Sequence, residues 1–481
     1  MILLLAIAVA ALAPATAFAT GLSPVEALGK NLFFDKNLST PAGMACAECH
    51  ASQVGWTGSD AMINLGGAVY EGAVTGRFGN RKPPSSAYGG NSPVLHLDAT
   101  NGWTGGMTWD GHAPGLTLGD PLAEQALQPF VNPLEENNAT ATVVVDKVKQ
   151  SSYANLFKSV WGADAFSDVN AAYNNIGRSI AAYERSNEVS PYSSRYDTYV
   201  KSRRGLTSEE LQGLELFNGK AKCVQCHSGK DFTDFTYDNL GVPKNPMNPF
   251  YSAELAVNPD GTSWIDKGLG GYLGGPDANY DISVYGPELG KFKVPTLRNV
   301  DKRPSAGFVK AYGHNGYFKS LEEIVHFYNT RDTMPWPAPE YAATVNQTQV
   351  GNLGLTPAEE KSIVAFLKTL SDVVLPHATV YTPHAPSTMY RNHHYTIYGY
   401  VKPRHSSGYY LVQLNFYLRN SHGVYVYHSH VHARRYYYSS TMTKYSAKVS
   451  LPHSGRWRVR AYHTDAGHAP SFSGYDYITV K

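Results

Sequence analysis

With 481 residues, 42% hydrophobic content and a formal net charge of +2, the chain can bury ample core, and its length suggests about three domains. Its near-neutral balance gives no reason to expect nucleic acid as a partner, and beyond residues 2–19 no apolar run is long enough to span a membrane. Only four cysteines occur, too few for a disulfide scaffold in a chain of this size.

Residues 1–19 read as a signal peptide: an apolar stretch ends in Ala17-Phe18-Ala19, an A-x-A cleavage pattern, although basic residues are missing before it. An uncleaved anchor is the alternative. Residues 20–200 form a first module, opened by a helix at Ser23-Pro24 with Glu26 at the capping-box spacing, followed by Gly29 and Leu32-Phe33. Then comes Cys46-Ala-Glu-Cys49-His50, and further helices are expected over 141–158 and 171–185.

Residues 201–375 form a second module that opens in the same way. Thr207 and Glu210 make the capping box, Gly213 and Leu216-Phe217 follow, and then Cys223-Val-Gln-Cys226-His227. A helix from Thr356-Pro357 closes it, with Ile363, Phe366, Leu367 and Leu370 on one face. The parallel openings predict a duplicated small helical unit.

A C-x-x-C-H run attaches a c-type haem through two thioethers and supplies an iron ligand from the histidine. A disulfide, a zinc half-site or a redox pair would use the same spacing. Two such runs that consume every cysteine favour two covalent haems, with His50 and His227 as axial ligands. Covalent haem attachment takes place outside the cytoplasm, in agreement with export to the periplasm or cell surface.

Residues 376–481 are different in kind. They carry twelve Lys/Arg against two acids, with twelve of the 18 histidines and seventeen of the 34 tyrosines. Alternating runs at 395–400, 411–417, 446–451, 457–462 and 475–480 predict an all-β sandwich of immunoglobulin type with about seven strands. His428, His430 and His432 would share one strand face, where they could hold a metal or face solvent; Arg434 and Arg435 next to them favour solvent. The basic surface suits an anionic partner, either a polymer or the acidic haem modules.

From about residue 22 to 372 the chain resembles the bacterial di-haem cytochrome c peroxidase family, which includes the MauG-like methylamine-utilisation enzymes. The motifs are Leu28-Gly-Lys-Asn-Leu-Phe-Phe-Asp35, both C-x-x-C-H runs, Trp109-Asp-Gly, Gln125-Ala126 with Asn132-Pro-Leu-Glu135, Phe232-Thr-Asp234 and Phe292-Lys-Val-Pro-Thr-Leu-Arg-Asn299. The resemblance implies a mainly α fold of two haem c modules with loop-rich connections. It also implies an enzyme that meets hydrogen peroxide at the first haem and passes electrons from the second. The electrons would come from a small donor, a cytochrome c or cupredoxin, or from an oxidisable protein substrate. A non-catalytic electron-transfer protein at the cell surface is the competing reading.

The resemblance further assigns Glu135 and Gln125 to proton handling at the peroxide, and Trp109 to the path between the haems. No histidine occurs between His50 and His96, where many members place a ligand that closes the first haem, so that iron is expected to be open. The second haem's usual distal methionine is replaced by Tyr328, in the helix after the Tyr312-Gly-His-Asn-Gly316 turn, as in MauG-like members; His326 and Met334 are off-register alternatives. The family also binds a calcium between its modules, partly through an asparagine in an R-N-x-P-T segment. Here Arg81-Lys-Pro-Pro-Ser85 puts Lys82 at that position and leaves Asn80 as a substitute, so calcium is kept as an optional third cofactor without assigned ligands.

Overall fold

The computed structural model describes residues 22–373, 378–405, 410–421, 423–465 and 468–481; the expected signal peptide lies outside them. Two units are separated, Leu22–Val373 and the C-terminal residues that follow. No helix among the described residues is long and apolar enough to cross a membrane.

The Pro24–Phe33 helix starts as its sequence predicts. Ser23 accepts from the Glu26 N–H while Glu26 accepts from the Ser23 N–H, and proline takes the first turn. It buries Leu28, Gly29, Leu32 and Phe33 against the Val169–Glu184 helix. At the crossing point Gly29 lies against the Ser179 carbonyl, where any Cβ would collide, with the Tyr183 Cβ only 2.9 Å from that position. Glycine is required there by close approach, not by backbone conformation.

The same device recurs in the second half. Thr207 and Glu210 cap the Ser208–Asn218 helix, which packs on Pro357–Lys368, itself capped by Thr356 and Glu359. Gly213 meets the Ser362 carbonyl, with the Phe366 Cβ 2.8 Å from where its own Cβ would be. Each crossing heads a separate apolar core. One holds Leu28, Phe33, Trp56, Ile176 and Tyr183, the other Phe217, Phe232, Leu321, Ile363 and Phe366.

The helix expected over 141–158 is broken into Ala141–Gln150 and Ala154–Trp161. Ser151 takes an extended conformation, and its hydroxyl donates to the Val148 carbonyl at 2.7 Å. Serine's competition for backbone partners explains the interruption. Strand in this unit is limited to two pairs of two- and three-residue segments.

The C-terminal unit is all β. Its strands hydrogen-bond in the order Thr379–Val380, Tyr395–Lys402, Thr443–Val449, Tyr425–Tyr437, Tyr410–Arg419, Gly455–Asp465, Asp476–Val480 and Thr388–Met389, with His468–Phe472 added beside Gly455–Asp465. The first of these also touches Gly455–Asp465, five places away, so the sheet curls over a core of Ile397, Leu414, Phe416, Tyr445, Trp457 and Ile478. All five strand runs expected from the sequence are present.

One expectation fails here. The Tyr410–Arg419 and Tyr425–Tyr437 pairing shifts register between Phe416 and Tyr417, which makes His428 the extra residue of a bulge. Its ring packs on His453 and Trp457 at 5.3 and 4.7 Å, while His430 and His432 remain together at 5.3 Å. The three imidazoles therefore do not form one face.

Candidate active site

Cys46 and Cys49 bound a single helical turn, and His50 is its C-cap. The His50 Nδ1–H donates to the Trp56 carbonyl at 3.2 Å. Trp56 has a positive φ of 62°, rare for a bulky residue, and it is held edge-on by Phe33 at 5.8 Å and Tyr183 at 6.1 Å. Those two rings come from the helices that cross at Gly29.

The second motif repeats this geometry. His227 donates from Nδ1 to the Phe232 carbonyl at 3.0 Å, Phe232 has φ of 53°, and Phe217 and Phe366 pack on its ring at 5.9 and 6.2 Å. In both cases the Nδ1 bond fixes the tautomer and leaves the Nε2 lone pair for a metal. Burial pushes His50 down to about 4 and lowers His227 as well, and both shifts favour the neutral ring that a ligand must present.

The other readings of C-x-x-C fit poorly. Burial pushes Cys223 and Cys226 up to about 12, and it raises Cys46 and Cys49 too, whereas a reactive dithiol has a lowered pKa. All four thiols are unpaired. Among the described residues no three His, Cys, Asp or Glu side chains gather as a zinc site would require.

The surroundings fit haem. Cys223, Cys226 and His227 line a cavity enclosing about 1830 Å³ of empty space, part of it open to solvent, with Ile324, Val325 and Leu367 among its apolar walls. Around the first motif, Glu136 and Glu184 are 3% and 4% exposed, and each has an Oε2 without a hydrogen-bond partner among the described residues. Burial pushes both up to about 8. Orphaned acids of this kind inside a core mark a place completed by a bound group.

Tyr328 lies on the Leu321–Thr330 helix and lines the cavity that holds Cys223, Cys226 and His227. Burial raises its phenol strongly, and no hydrogen bond contributes to that shift. The alternatives are elsewhere: His326 binds Glu360 at 3.0 Å, Met334 is exposed, and neither lines the cavity.

Trp109 is buried and reaches the same cavity. Its neighbour Asp110 binds Arg81 at 2.6 Å and the His112 ring. Glu135 is placed where its charge acts on both Cys49 and His112. Burial raises its carboxyl, partly offset by His112 and by a hydrogen bond from Asn132. Gln125 ends the short Pro121–Gln125 helix, half buried, and it makes no hydrogen bond to Glu135 among the described residues.

Several functional neighbours escape sequence reasoning. Glu136 beside Glu135 gives an acidic doublet, but nothing in the pair tells which member is buried against Cys46, 4.0 Å from its Sγ. Asp372 ties the unit together by accepting from the Tyr88 hydroxyl, Asn299 Nδ2 and the Ser193 amide at 2.7 to 3.0 Å. Its partners are 73 to 284 residues away along the chain, so no local signal announces it.

A sequence model of the di-haem cytochrome c peroxidase family matches residues 23–205. The methylamine utilization protein MauG of Paracoccus denitrificans (strain Pd 1222) is 30% identical over 389 residues, covering 76% of this chain and 93% of its own. Cytochrome c551 peroxidase of Nitrosomonas europaea is 28% identical over 347 residues, covering 72% and 79%. Among solved structures, the diheme peroxidase BthA from Burkholderia thailandensis E264 aligns with a TM-score of 0.62 at 31% identity, over 73% of this chain and 87% of that one.

Proposed function

The chain belongs to the di-haem cytochrome c peroxidase family and is a peroxidase-like oxidoreductase, and on that premise we propose that it takes hydrogen peroxide at the site of Cys46, Cys49 and His50. Electrons would enter or leave through the site of Cys223, Cys226 and His227. The observation that carries this reading is the position of Glu135, a half-buried carboxyl with a raised pKa beside the first motif.

When bound, the two c-type haems supply the redox-active irons. The protein's own part is to orient and to move protons. Reducing peroxide to two waters takes two electrons and two protons, and one proton must pass from one peroxide oxygen to the other. A positioned carboxyl performs that transfer, and its raised pKa brings it closer to the operating pH. His50 would hold the first iron through Nε2, since its Nδ1–H is engaged by the Trp56 carbonyl.

The electrons would come from a cytochrome c or cupredoxin, or from an oxidisable protein substrate. Tyr328 supports the second choice. An anionic oxygen stabilises high-valent iron, whereas a thioether favours the ferrous state, so a phenolate there would suit a haem that shares oxidising equivalents over one that simply takes in donor electrons. We place the enzyme outside the cytoplasm, where covalent haem is attached, and assign the basic C-terminal unit to an anionic surface.

Absorption and EPR spectra of the ferric holoprotein, recorded before and after peroxide, test the reading. One high-spin haem that reacts with peroxide is expected. Two low-spin haems inert to peroxide would instead identify an electron-transfer protein.

A further inference from the structure

Two lysine amines are buried in the boundary between the two haem sites. Lys82, 8% exposed, donates from Nζ to Thr57 Oγ1 at 2.9 Å and to the Pro83 carbonyl at 3.0 Å. Lys310, 4% exposed, donates from Nζ to the carbonyls of Val54 and Asn299, both at 2.9 Å. Burying an amine is costly, and neither has a carboxylate partner among the described residues. The acid whose charge Lys310 feels most is Asp301, itself paired with Arg303.

The oxygens these amines hold are not scattered. Val54 and Thr57 belong to the loop whose Trp56 carbonyl orients His50. Asn299 has a positive φ of 60° and is locked to Asp372 through its side chain. The backbone carbonyl of Lys82 accepts from Trp109 Nε1 at 2.8 Å. One amine thus joins the 54–57 loop to the Lys82–Pro83 segment whose carbonyl holds Trp109. The other joins that loop to the second half of the unit.

A calcium ion takes six to eight oxygen ligands, carboxylates among them. Here the available oxygens are uncharged carbonyls and one hydroxyl, already committed to N–H donors. The residues do not fit the calcium that the family resemblance implies.

We propose that the side-chain amines of Lys82 and Lys310 replace a metal ion as the internal clamp between the two haem sites, so that this protein folds and sets its haem geometry without calcium. The clamp acts through position: it fixes the loop behind His50 and the carbonyl that holds the Trp109 indole.

The test starts from the wild-type holoprotein. After dialysis against millimolar calcium, atomic emission should find no stoichiometric calcium, and EGTA should leave the thermal midpoint and the haem EPR spectrum unchanged. Bound calcium at one per chain, with an EGTA-induced shift in either signal, would overturn the proposal. In a second arm, Lys310→Met and Lys82→Met keep the side-chain volume but remove the amine. Each should lower the thermal midpoint and shift the EPR signal of the first haem, and calcium should rescue neither; variants matching wild type in both readouts would also overturn it.

Discussion

The Trp109 indole donates to the backbone carbonyl of Lys82 at 2.8 Å, so the ring facing the second site's cavity is held by the segment that is clamped to the loop behind His50. Its orientation is set by main chain. Replacing Trp109 with Phe keeps an aromatic ring but frees it from that carbonyl. We expect both haems to be retained and peroxide-driven donor oxidation to fall by about tenfold, equivalent to roughly 1.4 kcal/mol in the barrier. Steady-state kinetics with a cytochrome c donor measures this, and an unchanged rate would remove the indole from the electron path.

Glu135→Gln preserves shape while abolishing proton exchange. The expected result is intact haem content and a peroxide reaction slower by about 10²-fold or more, the scale of a lost acid–base group. Stopped-flow absorption after mixing with peroxide reads it directly. Gln125→Ala should cost less, because its side chain has no hydrogen bond to the carboxyl.

Tyr328 lines the second site's cavity with no side-chain hydrogen bond among the described residues, so its replacement separates ligation from packing. Tyr328→Phe should shift the absorption and reduction potential of the second haem with little loss of stability. Tyr328→Met should raise that potential, since a thioether favours the reduced iron. Spectra and potentials equal to wild type in both variants would leave Tyr328 a core residue.

Gly29→Ala and Gly213→Ala place a methyl group where a carbonyl already is. Each should destabilise Leu22–Val373 by about 1–3 kcal/mol, the usual range for overpacking. Differential scanning calorimetry of the holoprotein checks this. Local effects are predicted as well: Gly29→Ala should disturb the first haem's spectrum and Gly213→Ala the second's, because each crossing grips one ligand-orienting aromatic residue.

Ending the chain after Val373 removes a unit with its own core and twelve of the 41 Lys/Arg. Haem spectra and peroxide turnover should survive, while binding to anionic vesicles should disappear. Loss of haem incorporation would show that the C-terminal unit is needed by the enzyme.

Legibility in the sequence followed the range of the interactions. Capping boxes at Ser23 and Thr207 are local, and both formed as their spacing predicts. The repeated Gly…Leu-Phe openings were visible as well, but the carbonyls they meet, on Ser179 and Ser362, were not. A lysine in place of an asparagine was evident at Lys82, yet Lys310 and the four oxygens bound by one amine or the other come together only through the fold. The bulge at His428 follows from cross-strand register, which alternation along a single strand does not encode.

The crossings at Gly29 and Gly213 have a kinetic consequence. Each joins residues separated by roughly 150 positions, and doubling a flexible loop adds only about 0.6 kcal/mol of closure entropy, so the long Gly- and Pro-rich connections are thermodynamically inexpensive. Their cost is time, because contacts so distant along the chain form late. All four cysteines stay partly exposed in the folded protein, so thioether formation need not precede the sealing of a crossing, and it can proceed separately in each half of the enzyme.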